Sequence, residues 1–402
     1  MMVVECPRCS VKFVVSGKSS IFALCDNPMT LNISIGCPRM HLEPGERRDF
    51  LPEFFQRLDR YGFEVFLEQG YGSGMGYQDE DYLALAPSVR FTTLEETYQK
   101  DIVLVLRYPG DDALAAMRPG ACLISMLHFS TRPRRVTFMK ELGLEAISLD
   151  SVKDDVGRRL IENLRAVAWN GVEVSFKVLK EHYPPPGLED PNRLPVKVTV
   201  LGAGAVGTLA IQAAIRYGNE ETWRYMASIG ATGVQVTVVD YDLTNHPAIM
   251  QQILKFTDIL VDATQRPDPT KPVILNEWIG LMRPHAVLLD LSVDPYDCDV
   301  ELRSVKGIEG IPQGNLDQYI FLPGDPAYDK IPACVPTKER RIVVSCYSWP
   351  GIYPKECMDV YGKQLSPIMH EIAKRHGVQN IDPEGSFFQR AIGRAKLSKW
   401  NH

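Results

Sequence analysis

The 402-residue sequence has no apolar run near the ~20 residues that a membrane span needs. It has no long basic run either. Lys and Arg number 44 against 50 Asp and Glu, a net charge of −6. That balance argues against nucleic-acid and membrane-surface proteins. The N-terminus lacks the charged, apolar and small-residue order of a secretory signal, so a cytoplasmic location is expected. Nine cysteines, odd in number and scattered over a long chain, fit reduced thiols better than a disulfide framework. One cysteine pattern, Cys6-Pro7-Arg8-Cys9, has the form of half a zinc ribbon. No second C-x-x-C completes four ligands, and Cys25 and Cys37 stand alone. Residues 1–30 therefore read as an extension, a small hairpin with two free thiols, and no metal is expected.

What is present is organised around Lys197–Gly207, KVTVLGAGAVG. Val198, Val200 and Leu201 read as a buried strand, and Ala205–Tyr217 continues as a mostly apolar helix. Between them Gly202, Gly204 and Gly207 form G-x-G-x-x-G. The first glycine allows the tight turn and the second lets a pyrophosphate approach the backbone. The third lets helix and strand pack closely. The helix N-terminus, with Ala205 and Val206, offers free N–H groups to phosphates. The acidic residue expected about 20 positions on is delayed, because residues 218–233 intervene and read as an extension or kink of the helix. The second strand is Val234–Val239, closed by Asp240. A carboxylate there accepts hydrogen bonds from ribose hydroxyls and repels a 2′-phosphate, which favours NAD over NADP. The same residue can equally cap a turn.

The rest of the chain alternates strands and helices, the mark of open parallel sheets. Strands are expected at Leu31–Gly36, Phe63–Leu67, Asp101–Leu106, Ala121–Leu127 and Leu144–Leu149, then at Asp258–Ala263 and Ala286–Leu291. Helices are expected over Leu51–Tyr61 and Asp79–Ala86. One long helix is expected from Val156 to His182, ended by Tyr183–Gly187 and weakened only at Gly171. A last amphipathic helix, Tyr361–His376, holds Pro367 in its first turn. Glu43-Pro44-Gly45 reads as a turn.

Three residues stand where ligands bind in such sheets, at the carboxyl ends of strands. His128 has the pKa for proton transfer near neutrality. Arg107 suits a carboxylate, although a surface ion pair is the commoner fate of an Arg. Asp294 is placed to hold a substrate ammonium group, or to serve as an ordinary turn residue.

Several local patterns then occur in order: GERR followed by Pro52; FEVFLEQGYGSGMGYQDEDY; DIVLVLRYP; PGACLISMLHFSTRP; KVTVLGAGAVG; DILVDAT; and RPHAVLLDLSVD. Together they resemble the superfamily of alanine dehydrogenases, proton-translocating transhydrogenase α-subunits and saccharopine dehydrogenases, with alanine dehydrogenase the nearest in overall pattern. The resemblance implies an α/β protein of two Rossmann-like, doubly wound parallel-sheet domains with the active site in the cleft between them. A substrate domain of residues 31–160 would be completed by 355–402, and residues 161–354 would bind NAD. It implies that His128 is the catalytic acid/base and that Asp294 acts beside it. It implies that Arg48 binds substrate when counted from Glu46, or Arg47 when counted back from Pro52. It places Gly202, Gly204, Ala205, Val206, Gly207, Asp240 and Ala263 around the cofactor. Arg107 stands where the family usually has Lys; its charge survives, but an Arg does not trade protons. Asp154–Arg159 (DDVGRR) resembles the saccharopine enzymes more than the alanine ones.

The implied activity is NAD-dependent oxidative deamination of an L-amino acid, alanine to pyruvate by default. The alternatives are a saccharopine- or lysine-type secondary amine, or a non-catalytic, transhydrogenase-like NAD-binding protein. The implied partner is a small amino or 2-oxo acid, with a homo-oligomer left open.

Overall fold

A computed structural model describes residues 2–5, 12–15, 32–266, 268–296, 298 and 304–400. Cys6, Cys9 and Cys25 lie outside these, and with them the zinc-ribbon question. Strands β1 (Met2–Glu5) and β2 (Lys12–Val15) form an antiparallel pair.

Two six-stranded sheets follow. The first contains β3 (Ser34–Cys37), β4 (Glu64–Glu68), β5 (Arg90–Thr92), β6 (Ile102–Arg107), β7 (Cys122–Met126) and β8 (Glu145–Ser148). Its order is β5-β4-β3-β6-β7-β8, and every pairing is parallel. The second contains β9 (Val196–Leu201), β10 (Val234–Val239), β11 (Ile259–Asp262), β12 (Val287–Asp290), β13 (Ile320–Phe321) and β14 (Ile342–Ser345). Its order is β10-β9-β11-β12-β14-β13, parallel except for the short edge strand β13. Strand order therefore reverses at β3/β6 in one sheet and at β9/β11 in the other. Those reversals open a crevice at the carboxyl ends, where ligands bind.

The central strands are apolar because both faces are covered. Ile102–Leu106 and Val287–Asp290 are buried along their whole length. The expected strands all form; β5, β13 and β14 were not anticipated. Helix Pro354–Lys374 packs its Met358, Leu365, Ile368 and Ile372 into the core of the first sheet.

Four expectations need correction. The long helix begins at Leu164, not Val156. Asp154 accepts the Val156 and Arg158 N–H groups, and Gly157 has φ +85°, so the preceding segment is a side-chain-stabilised loop. Asn163 then caps the helix by accepting the Ala166 N–H. Residues 218–233 do not extend the preceding helix, which ends at Ile215. Gly218 turns the chain in the left-handed region, and Asn219 caps a separate helix, Glu220–Ser228. Pro367 lies in mid-helix, not in a first turn; the carbonyl it leaves without an amide partner is that of Lys363, an exposed position. Finally, Cys298 and Cys334 are joined in a disulfide across 36 residues. Scattered spacing does not reveal such a pair, because folding alone brings the two together. Among the described residues the free cysteines Cys37, Cys122, Cys346 and Cys357 are buried.

Gly171 is more than a weak point in its helix. A Cβ there would lie 2.6 Å from Leu291 Cδ2 and 3.1 Å from Leu289 Cδ1, so the missing side chain lets the helix cross β12.

Candidate active site

The wall at the second sheet is built from backbone. Gly202 has φ +88° and donates its N–H to Val239 O at 2.8 Å. A Cβ on Gly202 would lie 2.9 Å from the carbonyl oxygen of Ala263, which follows the neighbouring strand β11. A Cβ on Gly207 would lie 1.9 Å from Gly202 O, so the helix Ala205–Ile215 reaches the strand only because residue 207 has no side chain. Gly204 is the opposite case. Nothing lies within 4 Å of where its Cβ would stand, and Ala203, Gly204 and Ala205 are exposed. Bare backbone at the start of a helix, with Val206 just inside it, fits a pyrophosphate group. Asp240 stands exposed beside this loop and accepts the Tyr241 N–H through Oδ1 at 2.8 Å, capping the turn.

The opposite wall is built from charged side chains at successive strand ends. Arg107 ends β6, His128 follows β7 and Asp150 follows β8. His128 has φ +53°, a conformation uncommon outside glycine, and such strain collects at functional positions. Its N–H donates to Asp150 Oδ1 at 3.0 Å, and its Nδ1 lies 3.7 Å from Asp150 Oδ2. The Ser148 hydroxyl donates to the same carboxylate at 2.7 Å. The ring is half exposed and Asp150 is buried. Burial lowers the His128 pKa; Asp150 pulls it up, while Arg159, Arg107 and Arg132 push it down, and the net direction is down. Burial alone would raise Asp150, but the His128 charge, its hydrogen bonds and Arg159 outweigh that and hold it below the usual carboxylate range. An imidazole held beside a buried carboxylate at a strand end is the arrangement of an acid/base group.

The two arginines differ. Arg48 is buried and fully occupied. Its Nε and Nη2 donate to the two oxygens of Glu46 at 2.8 and 2.5 Å, and Nη1 donates to Cys357 Sγ at 3.8 Å. Arg107 is 29% exposed, lies 2.9 Å from Glu43 Oε1 and stacks over Tyr347 at 4.4 Å. Tyr347 follows β14, so the second sheet reaches the arginine too. Arg47, the other way of counting, is exposed on a cavity of about 490 Å³ lined by Gly45, Leu316, Asp317, Tyr319 and Gly351.

Asp294 pairs with Arg266 at 2.7 Å rather than with His128 or either arginine. Val293 before it holds φ +55°, a strained value for a β-branched residue. Its N–H donates to Asp290 Oδ1 at 2.8 Å. Asp290 in turn accepts from buried Lys306 at 2.8 Å and from Ser345 at 3.0 Å. Burial and the Asp290 charge push neighbouring Asp262 up to about 6.

The structure thus gathers His128, Arg107 and Arg48 at one place, and Gly202, Gly207 and Ala263 at another. Sequence reasoning missed Asp150, Glu43, Glu46, Tyr347 and Arg266. Asp150 carried a usable signal, since it follows a strand in the same way as His128. Glu43 was hidden inside a turn motif.

Residues 38–167 match the model of the alanine dehydrogenase/PNT N-terminal domain, and residues 191–302 match that of the C-terminal domain. The chain belongs to the alanine dehydrogenase/PNT family. It is an NAD(P)-binding oxidoreductase of that superfamily. It is 22% identical to the NAD(P) transhydrogenase subunit alpha of Haemophilus influenzae over 87% of this chain and 68% of that one. It is 23% identical to the alanine dehydrogenase of Bacillus subtilis over 65% of this chain and 70% of that one. An L-alanine dehydrogenase structure superposes with a TM-score of 0.68 at 19% identity, over 90% of this chain and 94% of that one. A transhydrogenase from Sinorhizobium meliloti gives 0.56 at 19% identity, over 84% and 94%. At these identities the structures establish the shared fold. Among the described residues no helix is long and apolar enough to cross a membrane.

Proposed function

We propose that this family member is an NAD-dependent amino-acid dehydrogenase acting at a CH–NH bond. One observation carries the reading: His128, oriented by buried Asp150, stands one strand from Arg107 at the carboxyl edge of the first sheet. A proton-transfer group beside a partly open guanidinium suits a substrate with a carboxylate next to the reacting carbon. Gly202, Gly204, Ala205, Val206 and Gly207, with Ala263, would hold the dinucleotide phosphates, and Asp240 the ribose, favouring NAD over NADP. NAD, when bound, supplies the hydride acceptor. Arg107 binds the substrate carboxylate. Arg48, sealed in its bidentate pair with Glu46, stands behind it as part of the core. His128 takes the proton from the attacking water and returns one to the departing amine. Asp294 lines the cofactor side, steadied by Arg266.

L-alanine is the default substrate. A saccharopine- or lysine-type amine is the second reading, favoured by Arg159. The segment resembling saccharopine enzymes brings that residue into the field of both His128 and Asp150, where a second carboxylate could meet it.

NADH formation at alkaline pH, measured by absorbance across L-alanine, L-lysine and saccharopine, identifies the substrate. His128→Ala is expected to lower turnover by about 10²–10⁴ while NAD still binds by calorimetry. Unchanged turnover would remove His128 from the chemistry. Silence across the panel with NAD bound would favour a non-catalytic, transhydrogenase-like protein.

A further inference from the structure

Both arginines of the proposed carboxylate site are already paired, each with a glutamate from one turn, Glu43-Pro44-Gly45-Glu46. The two pairs are not equivalent. Glu46 and Arg48 are 1% and 2% exposed and bidentate, so that pair is part of the core. Glu43 and Arg107 are 28% and 29% exposed and joined by a single 2.9 Å contact. Partly exposed single-contact pairs contribute less and exchange more readily than a buried bidentate pair.

The turn itself is pinned. Glu46 donates its N–H to Glu43 O, and Gly45 presses against the nucleotide domain, with the site of a Cβ 2.6 Å from Asp317 Oδ1 and 2.7 Å from Asp317 N. Tyr347 covers one face of the Arg107 guanidinium. The groups nearest the Arg107 head are Tyr347 on a ring face and the Glu43 carboxylate, which also lies beside the Tyr347 hydroxyl, with the Arg48–Glu46 pair close by. A carboxylate ligand reaches that guanidinium most simply by taking the place of Glu43, through a side-chain rotation that leaves the turn where it is.

We propose that Glu43 is a displaceable counterion of Arg107 that selects amino acids over the corresponding 2-oxo acids, an inference that rests on Arg107 receiving the substrate carboxylate. An amino-acid zwitterion offers a carboxylate to Arg107 and an ammonium group to the released Glu43. A 2-oxo acid offers only the carboxylate, and must compete with Glu43 without repaying it. Glu43 is accordingly a specificity-determining residue, and charge, not bulk, is its working property.

The test is binding of pyruvate and 2-oxoglutarate to the protein with NADH, and of L-alanine and L-lysine to the protein with NAD, by calorimetry, for wild type, Glu43→Gln, Glu43→Asp and Arg107→Ala. Glu43→Gln is expected to tighten the 2-oxo acid that binds wild type by about fivefold, the scale of a partly exposed ion pair. It is expected to leave the amino acid equal or weaker, so the ratio of the two affinities moves. Glu43→Asp, which keeps the charge, should restore the wild-type ratio in part. A merely structural role would lower the melting temperature and weaken both ligand classes together, and that result overturns the proposal. So does an unchanged ratio in Glu43→Gln when Arg107→Ala abolishes binding; in that case the carboxylate site survives and only the role of Glu43 fails. If Arg107→Ala leaves binding intact, or if no variant binds any of the four probes, the carboxylate reading fails as well.

Discussion

The two walls of the cleft are made of different material. At the second sheet the candidate ligand-binding atoms are backbone N–H groups, exposed because Gly204 has nothing to cover them. At the first sheet the candidate groups are long charged side chains, already engaged with one another: Arg107 with Glu43, Arg48 with Glu46, His128 with Asp150. A backbone site demands only that a side chain be missing at set positions. A side-chain site demands that residues distant in sequence arrive together with their charges balanced.

That contrast breaks most sharply at the glycines. Gly207→Ala places a Cβ against Gly202 O, a backbone atom that cannot step aside, so it should cost about 1–3 kcal/mol of stability and remove NAD binding as well. Gly204→Ala meets nothing in the protein. It should keep the wild-type melting temperature and lose only NAD affinity, measured by calorimetry. Equal losses of stability in both would show that the loop is not built to leave Gly204 open.

A smaller effect is expected on the charged wall. Asp150→Asn removes the carboxylate that pulls the His128 pKa upward, so the pKa falls further. The acid limb of the turnover–pH profile in the oxidative direction should move to lower pH. The rate should fall by less than in His128→Ala, because the ring remains while its orientation loosens. An unmoved limb would mean that another group titrates.

The smallest effect concerns the buried carboxylates at the ends of β11 and β12. Asp262 is raised to about 6 by burial and by the Asp290 charge. A raised carboxyl favours the folded state while it is protonated. Its contribution is complete below about pH 4 and fades as pH rises through about 6. Asp262→Asn should remove that slope from the stability–pH curve, measured by denaturant unfolding. A curve of unchanged slope would assign it to other groups.

Legibility in the sequence followed the same division. The apolar runs of β6, β7, β9, β11 and β12 were visible because a strand covered on both faces is a continuous apolar word. The glycine loop was visible because its spacing is local. The true start of helix Leu164–His182 was obscured, since Asp154 and Gly157 form a loop inside a run that otherwise suits a helix. Edge strand β13 was too short to read, and β14 followed a stretch without clear periodicity. His128 and Arg107 were found by their strand-end positions. Asp150 could have been found in the same way, whereas no local rule predicts that Arg48 is sealed and Arg107 is open.

By itself, then, the sequence determined two parallel α/β sheets and a dinucleotide loop, because hydrophobic period and missing side chains act over a few neighbouring residues. Only the tertiary structure decided which charges face each other. Arg48 meets Cys357 across 309 residues, and Arg107 meets Tyr347 from the other domain. Those meetings decide burial, and burial decides whether an ion pair is a fixed part of the core or one that a ligand can replace.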